Sequence, residues 1–389
     1  MQAIDEDLRA GSEALRRGEP TRARECFSRS LAAGRAPGPA LLGLALACGA
    51  LGDRAGRTAA IDRLLSIDPR NLRGLILKGD DLVAGGDVRS ATSFYLSAIR
   101  SAPPADQLPA DLQAELRRVQ HVCDGYAAHY QSYITEQLAQ RGFDRATSSA
   151  RFAQSVDIAL GKKRIYVQEP RYYYFPALPQ IQFYDREPFP WLSTLESATD
   201  DIREELLGVM SEPGAFAPYV QGSANRPRKD QAGMLNNPAW SAFYLWKNGE
   251  VVEENAARCP RTLEALKDVP FSRTPNRSPS ILFSLLKPGA HIPPHTGFVN
   301  TRLICHLPLI VPGKCRFRVG NEMREWETGK AWVFDDTIEH EAWNDSDETR
   351  VILLFDIWRP ELTLEERELV TALFAAIDAH SGQKPDWSI

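Results

Sequence analysis

Two histidines and an arginine in the C-terminal third of the chain have the types and spacing to do chemistry together. His295 lies in Pro294-His295-Thr296-Gly297, just after a Gly/Pro-rich turn, and His340 closes Val333-Phe334-Asp335-Asp336-Thr337-Ile338-Glu339-His340. Ten residues on, Arg350 begins the apolar run Arg350-Val351-Ile352-Leu353-Leu354-Phe355. Two histidines on neighbouring strands can hold a non-haem iron, and a guanidinium one strand further on suits the carboxylate of an acidic co-substrate. Iron(II) that activates oxygen commonly takes two histidines and one carboxylate, the acid standing two residues after the first histidine because alternate strand residues share a face. Here that position is Gly297, which has no side chain to offer. Either water takes the third place or an acid from elsewhere does. Glu339 and Glu341 flank His340 and, on a strand, point away from the metal. Asp335 and Asp336 are expected to orient a ligand from outside.

Such a site needs a rigid sheet. Short β-like runs punctuated by Gly, Pro and Asn cover Ser241 to Trp246, Ile281 to Leu286, Arg302 to Val311, Cys315 to Val319, Met323 to Trp326, Lys330 to Phe334 and Val351 to Trp358. Gly320-Asn321 between two of them signals a hairpin. Many short strands with turn signals predict a double-sheet jelly roll. Ahead of them, Trp191 to Met210 reads as one amphipathic helix.

The first hundred residues repeat. Gly18, Gly52 and Gly86 are 34 apart and precede Glu19, Asp53 and Asp87. Phe27, Ile61 and Tyr95 keep that spacing, as do Leu31, Leu65 and Ile99, and Pro69 and Pro103 end two units. This is similar to the tetratricopeptide repeat, a helix pair reversed at a glycine, and a further helix from about Asp111 to Ala139 would cap the array. Such an array offers a concave surface to a peptide or protein substrate, or serves as a dimerisation or docking element. The expected architecture is therefore α+β and multidomain: helical repeats over 1–140, a linker over 141–164 and the β domain over 165–389.

Composition narrows the classes. A net charge of -5 over 389 residues leaves no basic footprint for nucleic acid. The longest apolar run, Pro39 to Leu51, is shorter than the roughly 20 residues a membrane span needs. The acidic N-terminus lacks the order of a secretory signal, so a cytoplasmic protein is expected. Six scattered cysteines without a C-x-x-C pair read as reduced and buried. Oligomeric state is not specified by any of these features.

Three groups of residues carry a family likeness. They are His295-Thr296-Gly297 with Asn300-Thr301-Arg302-Leu303 and His306-Leu307, then Phe334-Asp335-Asp336 with Glu339-His340-Glu341 and Trp343, and finally Asp356-Ile357-Trp358-Arg359-Pro360-Glu361-Leu362. Over about residues 165 to 385 the chain resembles the aspartyl/asparaginyl β-hydroxylase family. The resemblance implies a double-stranded β-helix that uses Fe(II), 2-oxoglutarate and O2 and lacks the third, carboxylate ligand, so Gly297 is expected there. Tetratricopeptide-like helices ahead of the oxygenase domain also occur in the family. By the same resemblance His295 and His340 are the iron ligands, and Arg350 pairs with the distal carboxylate of 2-oxoglutarate. Ser284 and His306 are polar contacts to that co-substrate, Trp240 is an indole beside the pocket, and Arg302 is a basic residue near co-substrate and substrate. Hydroxylation of the β-carbon of an aspartyl or asparaginyl residue in a peptide or protein is implied. Gly297 also leaves room for a halide, though the flanking residues resemble hydroxylases. One departure matters: Ile304 stands where hydroxylases of aspartyl residues in the family carry a second arginine. That loss bears on the acidic-residue substrate more than on the chemistry and favours one alternative, a hydroxylase of a small molecule or lipid acyl chain; a catalytically silent repeat-barrel binding protein is a separate one.

Overall fold

A 34-residue period demands a helix, a reversal and a second helix, and the computed structural model, which describes residues 6–34, 36–222 and 233–381, has that form in its first unit. The acidic start, Met1 to Asp5, lies outside the described residues. The chain divides into two units, Met1–Lys162 and Lys163–Ile389.

In the first unit three helical hairpins pair α1 (Glu6–Arg16) with α2 (Pro20–Ala32), α3 (Pro37–Ala50) with α4 (Arg54–Ile67), and α5 (Leu72–Ala84) with α6 (Val88–Ser101). Gly18, Gly52 and Gly86 make the reversals at φ of 73, 74 and 84°, a region that strains any residue with a Cβ. The acid that follows each glycine has a cap to form. Asp53 and Asp87 accept hydrogen bonds from the backbone N–H groups of Gly56 and Ser90, at 2.8 and 2.9 Å, closing the first turns of α4 and α6. Glu19, one methylene longer, makes no such bond at α2. The recurring bulky column is buried, and its rings sit on glycines: a Cβ at Gly43 would lie 2.3 Å from Phe27, and one at Gly79 2.2 Å from Tyr95. Helix α7 (Ala110–Ala139) adds Leu112, Val119 and Cys123 to the core around Tyr95. Within the stretch expected as linker, α8 (Ala150–Ala159) forms with Ser149 as its N-cap.

The second unit is a double-stranded β-helix of two antiparallel sheets. Its strands are β1 (Ala217–Pro218), β2 (Trp240–Lys247), β3 (Glu250–Val251), β4 (Ile281–Leu286), β5 (His291–His295), β6 (Arg302–Ile310), β7 (Cys315–Val319), β8 (Glu322–Glu325), β9 (Trp332–Phe334), β10 (His340–Asn344) and β11 (Arg350–Trp358). The larger sheet has the order β1-β2-β4-β11-β6-β9 with β3 paired to β2, and the smaller one β5-β10-β7-β8. Gly320-Asn321 makes the β7–β8 hairpin, with Val319 opposite Glu322.

Strand alternation divides the large sheet's residues between two cores. Leu303, Cys305, Leu307 and Leu309 of β6 and Val351, Leu353, Phe355 and Ile357 of β11 pack with Leu192, Leu195, Ile202 and Leu206 of the helices behind the sheet. The opposite parity faces the small sheet. The helical stretch behind the sheet is two helices, Leu192–Ser197 and Thr199–Met210, rather than the single one the pattern suggests. The break falls where the Thr199 hydroxyl donates to the Glu196 carbonyl at 2.6 Å and the Glu196 carboxylate reaches Arg186 and the Ala331 N–H. All six cysteines are free and buried, with Cys305 on the large sheet and Cys315 on the small one. Among the described residues no helix is long and apolar enough to cross a membrane.

The glycine seats give a test. Gly79→Ala pushes a methyl into Tyr95 and is expected to destabilise the helical unit by about 1–3 kcal/mol. Gly125→Ala, on an exposed part of α7 with nothing within 4 Å, should be neutral or stabilising by up to about 1 kcal/mol. Thermal unfolding followed by circular dichroism ranks the two.

Candidate active site

His295 ends β5 and His340 begins β10, and the two are direct register partners on these antiparallel strands. Their ring centroids lie 4.1 Å apart. Each ring is oriented by a backbone carbonyl: His295 Nδ1 donates to Pro293 O at 2.8 Å and His340 Nδ1 to Ile338 O at 3.1 Å. A donor hydrogen on Nδ1 fixes the tautomer and leaves Nε2 with a lone pair, which is what a metal ligand requires. Burial pushes the His295 ring down to about 4 and the His340 ring well below its ordinary value, so both imidazoles are neutral at physiological pH. Asp335 and Asp336 were expected to orient the ligands; the carbonyls do so instead. Asp335 accepts from Arg359, Gln168 and Thr337, while Asp336 lies 3.6 Å from Arg302. Glu339 and Glu341 do point away, both pairing with Arg318. Among the described residues no third His, Cys, Asp or Glu joins a metal-binding group. Gly297 leaves room only for its neighbour, since a Cβ there would meet Asp336 Oδ2 at 2.1 Å.

A cavity of about 420 Å³ runs between the sheets beneath the imidazoles. At one end stands Arg350, the first residue of β11, in register with Leu286 of β4, which in turn pairs with Trp240 of β2. Arg350 is 1% exposed, and among the described residues no carboxylate lies within ion-pair distance of it. Desolvation lowers its pKa to about 10, which still leaves it charged. Nearby, the Trp240 indole N–H donates to Ser284 Oγ at 3.3 Å and stacks on Tyr219 with centroids 4.2 Å apart. Ser284 thus keeps its own hydroxyl hydrogen available. His306 is buried with its pKa pushed well down, and its Nδ1 has no hydrogen-bond partner among the described residues.

The other end is charged differently. Arg302 lies between two acids, 3.2 Å from Asp356 and 3.6 Å from Asp336, so its charge is already met. Burial raises Asp336 to about 7. Ile304, the register partner of Asp356, makes the adjoining wall apolar, and Ile352 and Leu354, opposite Ser284 and His306, continue it along the cavity.

All seven residues singled out in the sequence, Trp240, Ser284, His295, Arg302, His306, His340 and Arg350, line this one cavity. Sequence reasoning missed the roles of Asp356, Tyr219, Tyr244 and Trp326, which line it too. Parity could have found two of them: Asp356 shares a face with Arg350 on β11, and Tyr244 with Trp240 on β2. Tyr219 lies outside the regular strands and carries no such signal, and Trp326, expected as the last residue of a strand run, falls just beyond the end of β8.

A double-stranded β-helix with paired neutral imidazoles over a pocket closed by a buried cation is the class of protein defined here. Residues 196–360 match the family model described as aspartyl/asparaginyl beta-hydroxylase. The human protein named aspartyl/asparaginyl beta-hydroxylase is 36% identical over 184 residues, covering 47% of this chain and 23% of its own length. The Rhizobium tropici ornithine lipid ester-linked acyl 2-hydroxylase is also 36% identical, over 180 residues, covering 46% of this chain and 60% of its own. A solved cupin domain of a transcriptional regulator from Enterobacter cloacae aligns over 31% of this chain and 98% of its own at 14% identity, with a TM-score of 0.22.

Two expectations follow. Gly297→Ala must displace the Asp336 carboxylate, so it should lower stability by about 1–3 kcal/mol, and by clearly less in an Asp336→Ala background. Thermal melts of the four proteins complete the cycle. For pH, the His295 pKa is depressed from 6.5 to about 4, so the stability it contributes is present above about 6.5 and is lost as pH falls towards 4. Asp336, raised to about 7, acts in the opposite sense, so the measurement is the difference between wild type and His295→Gln across that window.

Proposed function

We propose that this protein is a 2-oxoglutarate-dependent dioxygenase in which His295 and His340 hold Fe(II) and an unactivated C–H bond is hydroxylated. The observation that carries the reading is a pair of neutral imidazoles, Nδ1 bound to carbonyls and Nε2 left to accept, above a cavity whose far end holds a buried guanidinium with no acidic partner among the described residues. That donor set fits a ferrous ion, and the unmet charge fits the distal carboxylate of 2-oxoglutarate. When bound, iron, 2-oxoglutarate and O2 supply the oxidising chemistry, giving succinate, CO2 and an oxygen atom for the substrate carbon.

The chain's own residues orient and shield. Arg350 pairs with the far carboxylate and Ser284 donates its hydroxyl to it, because Trp240 already occupies an acceptor position on that oxygen. His306, neutral and without a partner at Nδ1, adds a polar contact at the same end. Arg302, held by Asp356 and Asp336, lies where substrate and co-substrate meet. The β-carbon of an aspartyl or asparaginyl residue in a peptide or protein is the primary substrate in this reading, as the human relative's name supports. The helical repeats are then a surface for holding that polypeptide. Six free, buried cysteines agree with a reducing compartment, the cytoplasm in this reading.

A specific observation favours a second substrate class. The wall at Ile304, Ile352 and Leu354 is apolar and Arg302 is already paired, which suits an acyl chain or small molecule, and a lipid hydroxylase is among the relatives. A turnover screen with acidic peptides, free amino acids and acyl lipids, read by product mass in chloride buffer, separates the classes and distinguishes hydroxylation from halogenation.

His340→Ala is expected to abolish substrate-dependent succinate formation, and turnover surviving in that variant would remove the assignment. Arg350→Ala should raise the KM for 2-oxoglutarate about 10- to 100-fold while kcat changes less, the loss of one charge-assisted contact of about 1.5–3 kcal/mol.

A further inference from the structure

We propose that Trp326 is the positioning residue for Arg350, its indole face forming the shelf that holds the guanidinium towards the co-substrate's far carboxylate. The proposal rests on the reading of the cavity as a 2-oxoglutarate site. A buried guanidinium must be aimed by something, yet an acidic partner would compete with the very carboxylate it is meant to receive. Arg350 shows how that conflict is met. Its guanidinium carbon lies 4.7 Å from the centroid of the Trp326 ring, and among the described residues its side chain donates only one hydrogen bond, a long one of 3.3 Å to the Ser284 carbonyl, with no partner for its Nε. A π face attracts the cation without consuming any of its N–H donors, so the fork stays charged and open to a ligand.

The shelf is itself fixed. Trp326 is 6% exposed and follows β8 directly, so the β7–β8 hairpin sets its position. Its ring lies 5.3 Å from Phe317 and 5.9 Å from Trp332, the latter nearly parallel at 23°. Its indole nitrogen is buried with no partner among the described residues, so no hydrogen bond of its own to them explains a tryptophan at this place. A leucine would fill much of the volume but give the guanidinium no charge-bearing face.

The test compares two keto acids that share the chelating end and differ only in the far carboxylate: 2-oxoglutarate and 2-oxobutyrate. Their dissociation constants are measured on the full-length, Fe(II)-loaded protein under anaerobic conditions by isothermal titration. Wild type is expected to prefer 2-oxoglutarate strongly. Trp326→Leu should lose about tenfold of that preference, while Trp326→Phe, which keeps a smaller aromatic face, should lose about threefold or less. Affinity for 2-oxobutyrate should change little in either. Equal weakening of both acids in Trp326→Leu would mean a merely structural role and overturn the proposal, as would an unchanged preference. If the leucine variant does not fold, a phenylalanine variant that weakens both acids alike overturns it alone. Failure of the wild-type protein to distinguish the two acids would instead strike down the 2-oxoglutarate reading beneath it.

Discussion

The loops around the two imidazoles depend on one ion pair whose side chains are closed to water. Asp335 and Arg359 have side chains with no exposure, and their contact at 3.0 Å joins stretches that are far apart in sequence. Asp335 also accepts from Gln168 and from the Thr337 hydroxyl and N–H, while Arg359 donates to the carbonyls of Asn300 and Pro179 and to the Tyr184 hydroxyl. A buried pair is tolerable only when its remaining donors and acceptors are met, and here most of them are. The consequence is geometric. Gly297 N–H donates to the Asp336 carbonyl at 2.7 Å, and Glu169 N–H to the Thr337 carbonyl at 2.8 Å. The loop leaving His295 and the loop entering His340 are thereby tied to each other and to the arginine of the Trp358-Arg359-Pro360 run.

Function and stability are written on opposite parities of the same strands. On β11, Arg350, Ile352, Leu354 and Asp356 face the cavity, and Val351, Leu353, Phe355 and Ile357 face the helices. On β6, Arg302, Ile304 and His306 face in, against Leu303, Cys305 and Leu307. A slip of one residue would exchange the two sets, sending Arg350 into an apolar core at a cost no pairing there could offset. The large outer core therefore holds the register that the site needs.

That division also decides what was legible in the sequence. The helical array was readable because a glycine reversal and a buried ring recur every 34 residues, and the large sheet because its strands are long and apolar. The two strands bearing the histidines were not. β5 reads His291-Ile292-Pro293-Pro294-His295, and two prolines argue against a strand unless it lies at a sheet edge, which is where the fold places it. β10 is short and mixes charge with aromatics. The site residues were legible by type, but not what orients them. Carbonyl directions leave no trace in residue identity, so Asp335 and Asp336 drew the role that the carbonyls of Pro293 and Ile338 fill. Trp326 was legible as the end of a strand run, but a run of four residues does not show what its last ring faces.

The two guanidiniums that line the cavity explain why a dicarboxylate would bind in one orientation. Arg302 sits between Asp356 and Asp336, so an incoming carboxylate there gains little and meets two acids. Arg350 has an aromatic face behind it and no acid in reach among the described residues, so the same carboxylate gains an almost unshared positive charge in a low-dielectric site. Since both sites are enclosed, screening by salt does little to even them out. Binding at Arg350 leaves the opposite end of a dicarboxylate towards the imidazoles, whose neutral nitrogens add no competing charge. Ile304 sharpens this contrast further: an apolar side chain beside Arg302 adds no positive charge at that end, while the Arg350 end keeps its own.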